Sequence, residues 1–131
     1  MHKRLATETR KLAAIMFTDI VGFSRQMGTD EARMLRLLEV HNQLVSQAVV
    51  SHHGHAIKTI GDAFLVDFPS VVHAVQCARQ IQQQLRAHNA DKEKAERIHV
   101  RIGIHLRCCT ASKRSLRIFE RLKKISVAIR G

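Results

Sequence analysis

A chain of 131 residues, 45% of them hydrophobic, has the length and composition of one packed domain and excludes wholesale disorder. No apolar run approaches the ~18 residues that span a bilayer, the opening MHKRLATETRKLA lacks the apolar centre of a signal peptide, and three cysteines, two of them adjacent, give no disulfide framework and no metal-ligand spacing, so a reducing cytoplasm is expected. The net charge of +11 invites nucleic acid, but 8 of the 22 Lys and Arg and one of the 11 acids lie in the last 25 residues, and the aromatics are 4%, all Phe, too few for base stacking; nucleic acid is disfavoured as a partner.

In chain order, the apolar run in KLAAIMFTDIVGFS predicts a buried strand from Leu12 to Thr18, with Asp19 at its C-terminal end. From Thr29 to Ser51, Met34, Leu37, Leu38, Val45, Ala48 and Val49 recur at helical spacing behind Thr29 or Asp30 as N-cap, and HHGH ends that helix. Two alternating strands follow, His55 to Ile60 and Ala63 to Phe68, and a Gly61-Asp62 connection of this kind is a strong hairpin signal. Ser70 after Pro69 is a candidate cap for a second helix with Val71, Val72, Val75, Ala78, Ile81 and Leu85 on its apolar face. After the polar HNADKEKAER, Ile98 to His105 alternates as a fourth strand. Strand, helix, strand, strand, helix, strand is the order of an α+β fold, a ferredoxin-like split βαβ antiparallel sheet with helices on one face.

Beyond Leu106 the alternation stops. Residues 107–131 are basic, with Leu116, Phe119, Leu122, Ile125 and Ile129 at helical intervals, which predicts a polar link and a basic amphipathic helix. Such a tail could also touch an anionic surface. His52, His53 and His55 cluster around Gly54, but zinc needs further ligands, and histidines at a helix end are more often surface residues; Cys77 reads as a small packed apolar residue.

Chemistry concentrates on two aspartates and a lysine. Asp19 and Asp62 are 43 residues apart, yet the split βαβ topology sets the first strand centrally beside the hairpin, so the two ends can meet. Paired carboxylates repel unless a cation lies between them, and hard divalent ions favour carboxylates together with phosphate oxygens. Taken singly, an Asp at a turn more often serves local hydrogen bonding and a Lys on an edge strand is more often solvated. Three stretches in order change that balance: MFTDIVGFSRQMG, IKTIGDAFLVDFPSVVHAVQCARQIQ and VRIGIH together resemble the catalytic domain of class III adenylyl and guanylyl cyclases, over about residues 11–106.

The resemblance implies conversion of ATP to cyclic AMP and pyrophosphate for intracellular signalling, with two Mg²⁺ or Mn²⁺ ions as cofactors. It matches Asp19 and Asp62 to the metal-binding aspartates, with the Ile20 carbonyl as a further ligand. It matches the backbone around Gly22 and Phe23 to the triphosphate-wrapping segment, a use of helix-start N–H groups that is chemically favourable. Lys58 matches the position that reads the purine edge; an ammonium has only donors, so it suits the N1 acceptor of adenine rather than the N1–H of guanine. The resemblance also implies a homodimer with composite sites, metals on one subunit and the lysine on the other.

The pattern departs from the family after RIGIHL, where Arg107 stands in place of Gly and no N-x-A-A-R helix follows. Ser126 to Arg130, SVAIR, echoes that motif without its Asn or its spacing, so no catalytic Asn or Arg is assignable. The expected organisation is a leader (1–10), a partial, truncated cyclase domain (11–106) and a non-family basic tail (107–131), with a frame-shifted product as one origin. The alternative function is a weak or inactive nucleotide-binding or dimerisation module.

Overall fold

The computed structural model describes residues 12–108, so the expected leader and the expected basic tail helix lie outside the described residues. The elements are β1 (Leu12–Ile20), α1 (Phe23–Thr29), α2 (Glu31–Ser51), β2 (His55–Ile60), β3 (Ala63–Phe68), α3 (Val71–Asn89), a 3₁₀ turn (Lys94–Glu96) and β4 (Val100–Cys108). The sheet order is β2-β3-β1-β4, and every pairing is antiparallel. This is the expected split βαβ arrangement, with β1 central. Its ladder with β4 runs from Leu12↔Cys108 to Ile20↔Val100, whereas that with β3 ends at Thr18↔Phe64.

Side chains alternate across the sheet, and the two faces carry separate cores. Ala14, Met16, Ile20, Phe64, Val66, Phe68, Val100 and Ile102 pack with Met34, Leu37, Val45 and Ala48 of α2 and Ala74, Cys77, Ala78, Ile81 and Leu85 of α3. Ile15, Phe17, Ala63 and Leu65 form a smaller cluster on the opposite face. Cys77 is buried as expected, and that burial pushes its thiol pKa up to about 12, which makes it inert.

The strands of the hairpin have their expected limits. Elsewhere the boundaries move. Strand β1 continues two residues past Thr18, so Asp19 is a paired strand residue rather than the residue after the strand. A separate short helix, α1, precedes the long one, whose N-cap is Asp30; its Oδ1 accepts from the Arg33 N–H at 3.1 Å. Val72 and Val75 are corrections: they are exposed, 59% and 39%, because the buried stripe of α3 runs through 74, 77, 78, 81 and 85 and these valines lie off it. Ser70 caps α3 as expected, accepting from the His73 N–H. The start of β4 is prepared by Asn89, whose side chain donates to the Ile98 carbonyl at 2.8 Å and accepts from its N–H at 2.9 Å.

The HHGH stretch ends α2 by a specific device. The Gly54 N–H donates to the Val49 carbonyl at 2.8 Å and the His53 N–H to that of Val50 at 3.2 Å, a Schellman arrangement with His53 in the left-handed region at φ 61°. Gly54 is needed for space. A Cβ there would lie 2.7 Å from Cε2 of the buried Phe68 ring and 2.9 Å from Val49 Cγ1. Gly54→Ala is therefore expected to lower stability by about 1–3 kcal/mol through overpacking. His53→Gly, which relieves the left-handed conformation, should raise it by about 1 kcal/mol. Urea unfolding followed by circular dichroism reads both; an unchanged midpoint for Gly54→Ala would rule out the close approach.

Candidate functional site

Strand β1 continues two residues beyond its ladder with β3, and this creates the site. With its β3 ladder ended at Thr18, the Ile20 N–H would face β3 without a strand partner. Asp62, the second residue of the β2–β3 turn, supplies the acceptor: its Oδ2 takes the Ile20 N–H at 2.7 Å. Gly61 adopts φ 58°, the left-handed conformation that such a tight turn demands. The turn is thus tied to the end of the central strand, one residue beyond Asp19.

Asp19 points to the face away from the helices. There Arg101, its cross-strand partner on β4, grips it through both guanidinium arms, Nε to Oδ1 and Nη2 to Oδ2, each at 2.9 Å. The carboxylate in turn raises the pKa of the arginine. Sequence reasoning gave Arg101 no role. The signal was present as a cross-strand register: a β4 residue directly opposite Asp19 shares its face.

Lys58 stands on the exposed outer strand and makes no ion pair among the described residues. It pairs with Leu65, which pairs with Phe17, so all three share the face of Asp19. The two-residue Gly61-Asp62 turn sets this register, Ile60↔Ala63, Thr59↔Phe64 and Lys58↔Leu65, and the irregularity between Ala56 and Lys58 comes after it, shifting only Ala56 and His55. Two strand spacings, about 10 Å, separate β2 from β1. Gly22, at φ 73°, is the N-cap residue of α1 and carries the chain from Val21 into Phe23, whose ring packs against the main core. No side chain caps this helix start and no acid lies in its first turn.

Beneath these residues lie the two buried polar side chains of the described core, Thr18 and His41. The His41 ring packs edge-on to Phe64 with centroids 5.8 Å apart, and its Nδ1 bonds Asn42 Oδ1 at 2.9 Å. Its Nε2 and Thr18 Oγ1 have no protein partner. Desolvation lowers the His41 pKa, opposed by the Asn42 bond and by the charges of Asp62 and Asp19. The histidines after α2 serve other ends: His52 bonds Gln80 and His53 stacks edge-on against His73. Among the described residues no group of three or more His, Cys, Asp or Glu is arranged to hold a metal ion.

The profile of the family described as Adenylate and Guanylate cyclase catalytic domain matches residues 5–117, reaching past Leu106. "Putative adenylate cyclase 3" of Rhizobium meliloti is 41% identical over 98 residues, 74% of this chain and 17% of that protein. "Serine/threonine-protein kinase pkn2" of Myxococcus xanthus is 38% identical over 95 residues, 70% of this chain and 11% of that protein. The chain therefore spans less than a fifth of the length of these relatives. The solved structure of an adenylate/guanylate cyclase/hydrolase from Silicibacter pomeroyi superposes with a TM-score of 0.68 at 31% identity, covering 91% of this chain and 72% of that one.

Burial of His41 fixes a pH dependence. Its folded pKa lies below the ordinary 6.5, so the unfolded chain binds the extra proton first; its contribution to stability is intact above 6.5 and is lost as pH falls from there toward the folded value. Urea midpoints measured from pH 7.5 to 5.5 should fall with a slope of up to about 1.4 kcal/mol per pH unit from this group. His41→Phe should flatten that slope, and an identical slope in the variant would remove His41 as its source.

Proposed function

The chain belongs to the adenylate and guanylate cyclase catalytic domain family, and from that premise we propose that it acts on a nucleoside triphosphate, forming cyclic AMP and pyrophosphate from ATP. The observation that carries this reading is the Ile20 N–H to Asp62 bond, which joins the hairpin turn to the strand end holding Asp19 across 42 residues of sequence.

The donor set fits the divalent ions of this chemistry. Asp19, Asp62 and the Ile20 carbonyl offer hard oxygens, and two carboxylates are what Mg²⁺ or Mn²⁺ takes when phosphate and water complete its shell. Asp62 uses one oxygen for the Ile20 N–H and keeps the other; Asp19 retains lone pairs beyond its Arg101 bonds. Bound there, the ions would supply Lewis acidity for the ribose 3′-hydroxyl and the departing pyrophosphate.

The protein's own groups then have separate tasks. Asp19 and Asp62 bind and space the cations. Arg101 orients Asp19 through both of its oxygens, so its carboxylate is fixed before ligand arrives. The Ile20–Phe23 backbone, at a helix start that no side chain caps, offers N–H groups to phosphate oxygens. Lys58 offers donors to the adenine edge. It stands on the far side of β3 from Asp19, which supports a homodimer in which each lysine serves the partner's nucleotide. Among the described residues no helix is long and apolar enough to cross a membrane, and a cytoplasmic setting is part of this reading. A second reading, a nucleotide-binding module with little turnover, is favoured by one observation: residues 107–131 contain no N-x-A-A-R.

Product formation by the 131-residue chain with Mn²⁺ and ATP or GTP, beside Asp62→Ala, tests the proposal. Cyclic AMP from ATP in preference to GTP, falling by at least about 100-fold in the variant, is expected, since electrostatic stabilisation contributes several kcal/mol. Binding of Mn-ATP without product selects the second reading. Neither binding nor product would overturn both.

A further inference from the structure

The end of the molecule remote from Asp19 holds a histidine pair that the nucleotide reading does not use. Helix α2 starts just after α1, which follows the end of β1, and its 21 residues carry the chain about 30 Å away. His53 stands just past the end of α2, and His73 lies in the first turn of α3. Their rings meet edge-on with centroids 5.1 Å apart and planes at 76°.

Three observations separate this pair from ordinary surface histidines at a helix end. His53 holds a left-handed backbone, φ 61°, where glycine is favoured, and among the described residues no other non-glycine residue has a positive φ. Backbone strain of this kind clusters at binding and switch sites. His73 is anchored from behind: its Nδ1 lies 2.9 Å from Ser70 Oγ, which also accepts the His73 backbone N–H at 3.2 Å. A hydroxyl oxygen has two lone pairs, so Ser70 can accept from Nδ1–H as well, in the tautomer that leaves a bare lone pair on Nε2. Histidines that ligate metals are held by an outer hydrogen bond of this type.

The third observation is the spacing. Two imidazoles on one ion, with metal–N bonds of about 2.0–2.1 Å, have centroids about 4.5–5.2 Å apart for angles between 90° and tetrahedral. The observed 5.1 Å falls in that interval. His53 is exposed, so its ring can turn an edge toward the same point as His73 Nε2. The neighbouring His52 is engaged with Gln80 Oε1 at 2.7 Å instead.

We infer that His53 and His73 form a binding site for a borderline divalent transition ion such as Zn²⁺, which ties the end of α2 to the start of α3. Imidazole nitrogens suit zinc, nickel and copper, whereas the carboxylate oxygens of Asp19 and Asp62 suit magnesium and manganese, so the two sites differ in ligand chemistry as well as place. Among the described residues no third His, Cys, Asp or Glu joins the pair, and water fills the remaining positions of an open site. The inference does not rest on the nucleotide reading.

Titration of the full chain with Zn²⁺ alone, followed through the ring Cε1–H signals of its nine histidines, tests the assignment. The His53 and His73 signals should shift together and saturate at one Zn²⁺ concentration. Replacing His73 by Gln should weaken that response by at least the factor of about 10–100 that loss of an outer-shell partner produces. Thermal melts add a second readout. Zn²⁺ should raise the wild-type midpoint by binding the folded state, while His53→Gly, which relieves the strained backbone, should melt above wild type without Zn²⁺ and lose the Zn²⁺-dependent rise. Still signals for both rings at millimolar Zn²⁺ overturn the site. A shift of one ring without the other, or a Zn²⁺-dependent rise in His53→Gly equal to that of wild type, also overturns it.

Discussion

A single backbone donor at the end of a central strand organises this molecule's candidate site. Because β1 is longer than its β3 neighbour, the Ile20 N–H lies beyond the last strand partner, and an unpaired donor in a half-buried position is costly. The Asp62 carboxylate satisfies it at 2.7 Å, a charge-assisted bond of the stronger class. The bond closes the gap between turn and strand and ties Asp62 to the strand residue that follows Asp19.

Charge at the site is balanced on the face away from the helices. Asp19 is set by the bidentate Arg101 fork, which gives it a definite orientation at the cost of two acceptor directions. The helix-facing side of the same strand segment carries Thr18 and, from α2, His41, both fully buried with unpaired side-chain atoms. Buried polar groups left unpaired by protein are normally satisfied by ordered water, and both of these border Phe64, one through the ladder and the other through ring contact. The core under the aspartates is therefore more polar than the rest, which consists of aliphatic and sulfur-containing side chains together with Phe64 and Phe68.

The outer strand shows how a turn decides which face a side chain takes. The two connecting residues, Gly61 and Asp62, pair Ile60 with Ala63 and hence Lys58 with Leu65, so the lysine joins the face of Asp19 and Arg101. The side-chain period of two makes this all or nothing: a slip of one residue in that register would send Lys58 to the helix side.

What the sequence determined by itself was local. Apolar alternation defined the hairpin strands to the residue, Ser70 marked one helix start and Thr29 or Asp30 the other, and the order of elements fixed the split βαβ topology, because each of these signals lies within a few neighbouring residues. Asp19, Asp62 and Lys58 were singled out through the family motifs, and Ile20, Gly22 and Phe23 through their positions beside them. The short helix α1 and the exposure of Val72 and Val75 were not, since seven residues give too few turns for a period and a valine counts as apolar whichever way it points. Only the tertiary structure decided that Asp62 bonds Ile20, that Arg101 grips Asp19, that Lys58 shares the face of Asp19 and that His41 is buried beneath them. Each depends on strand register or on packing between distant segments, which no window of neighbouring residues contains.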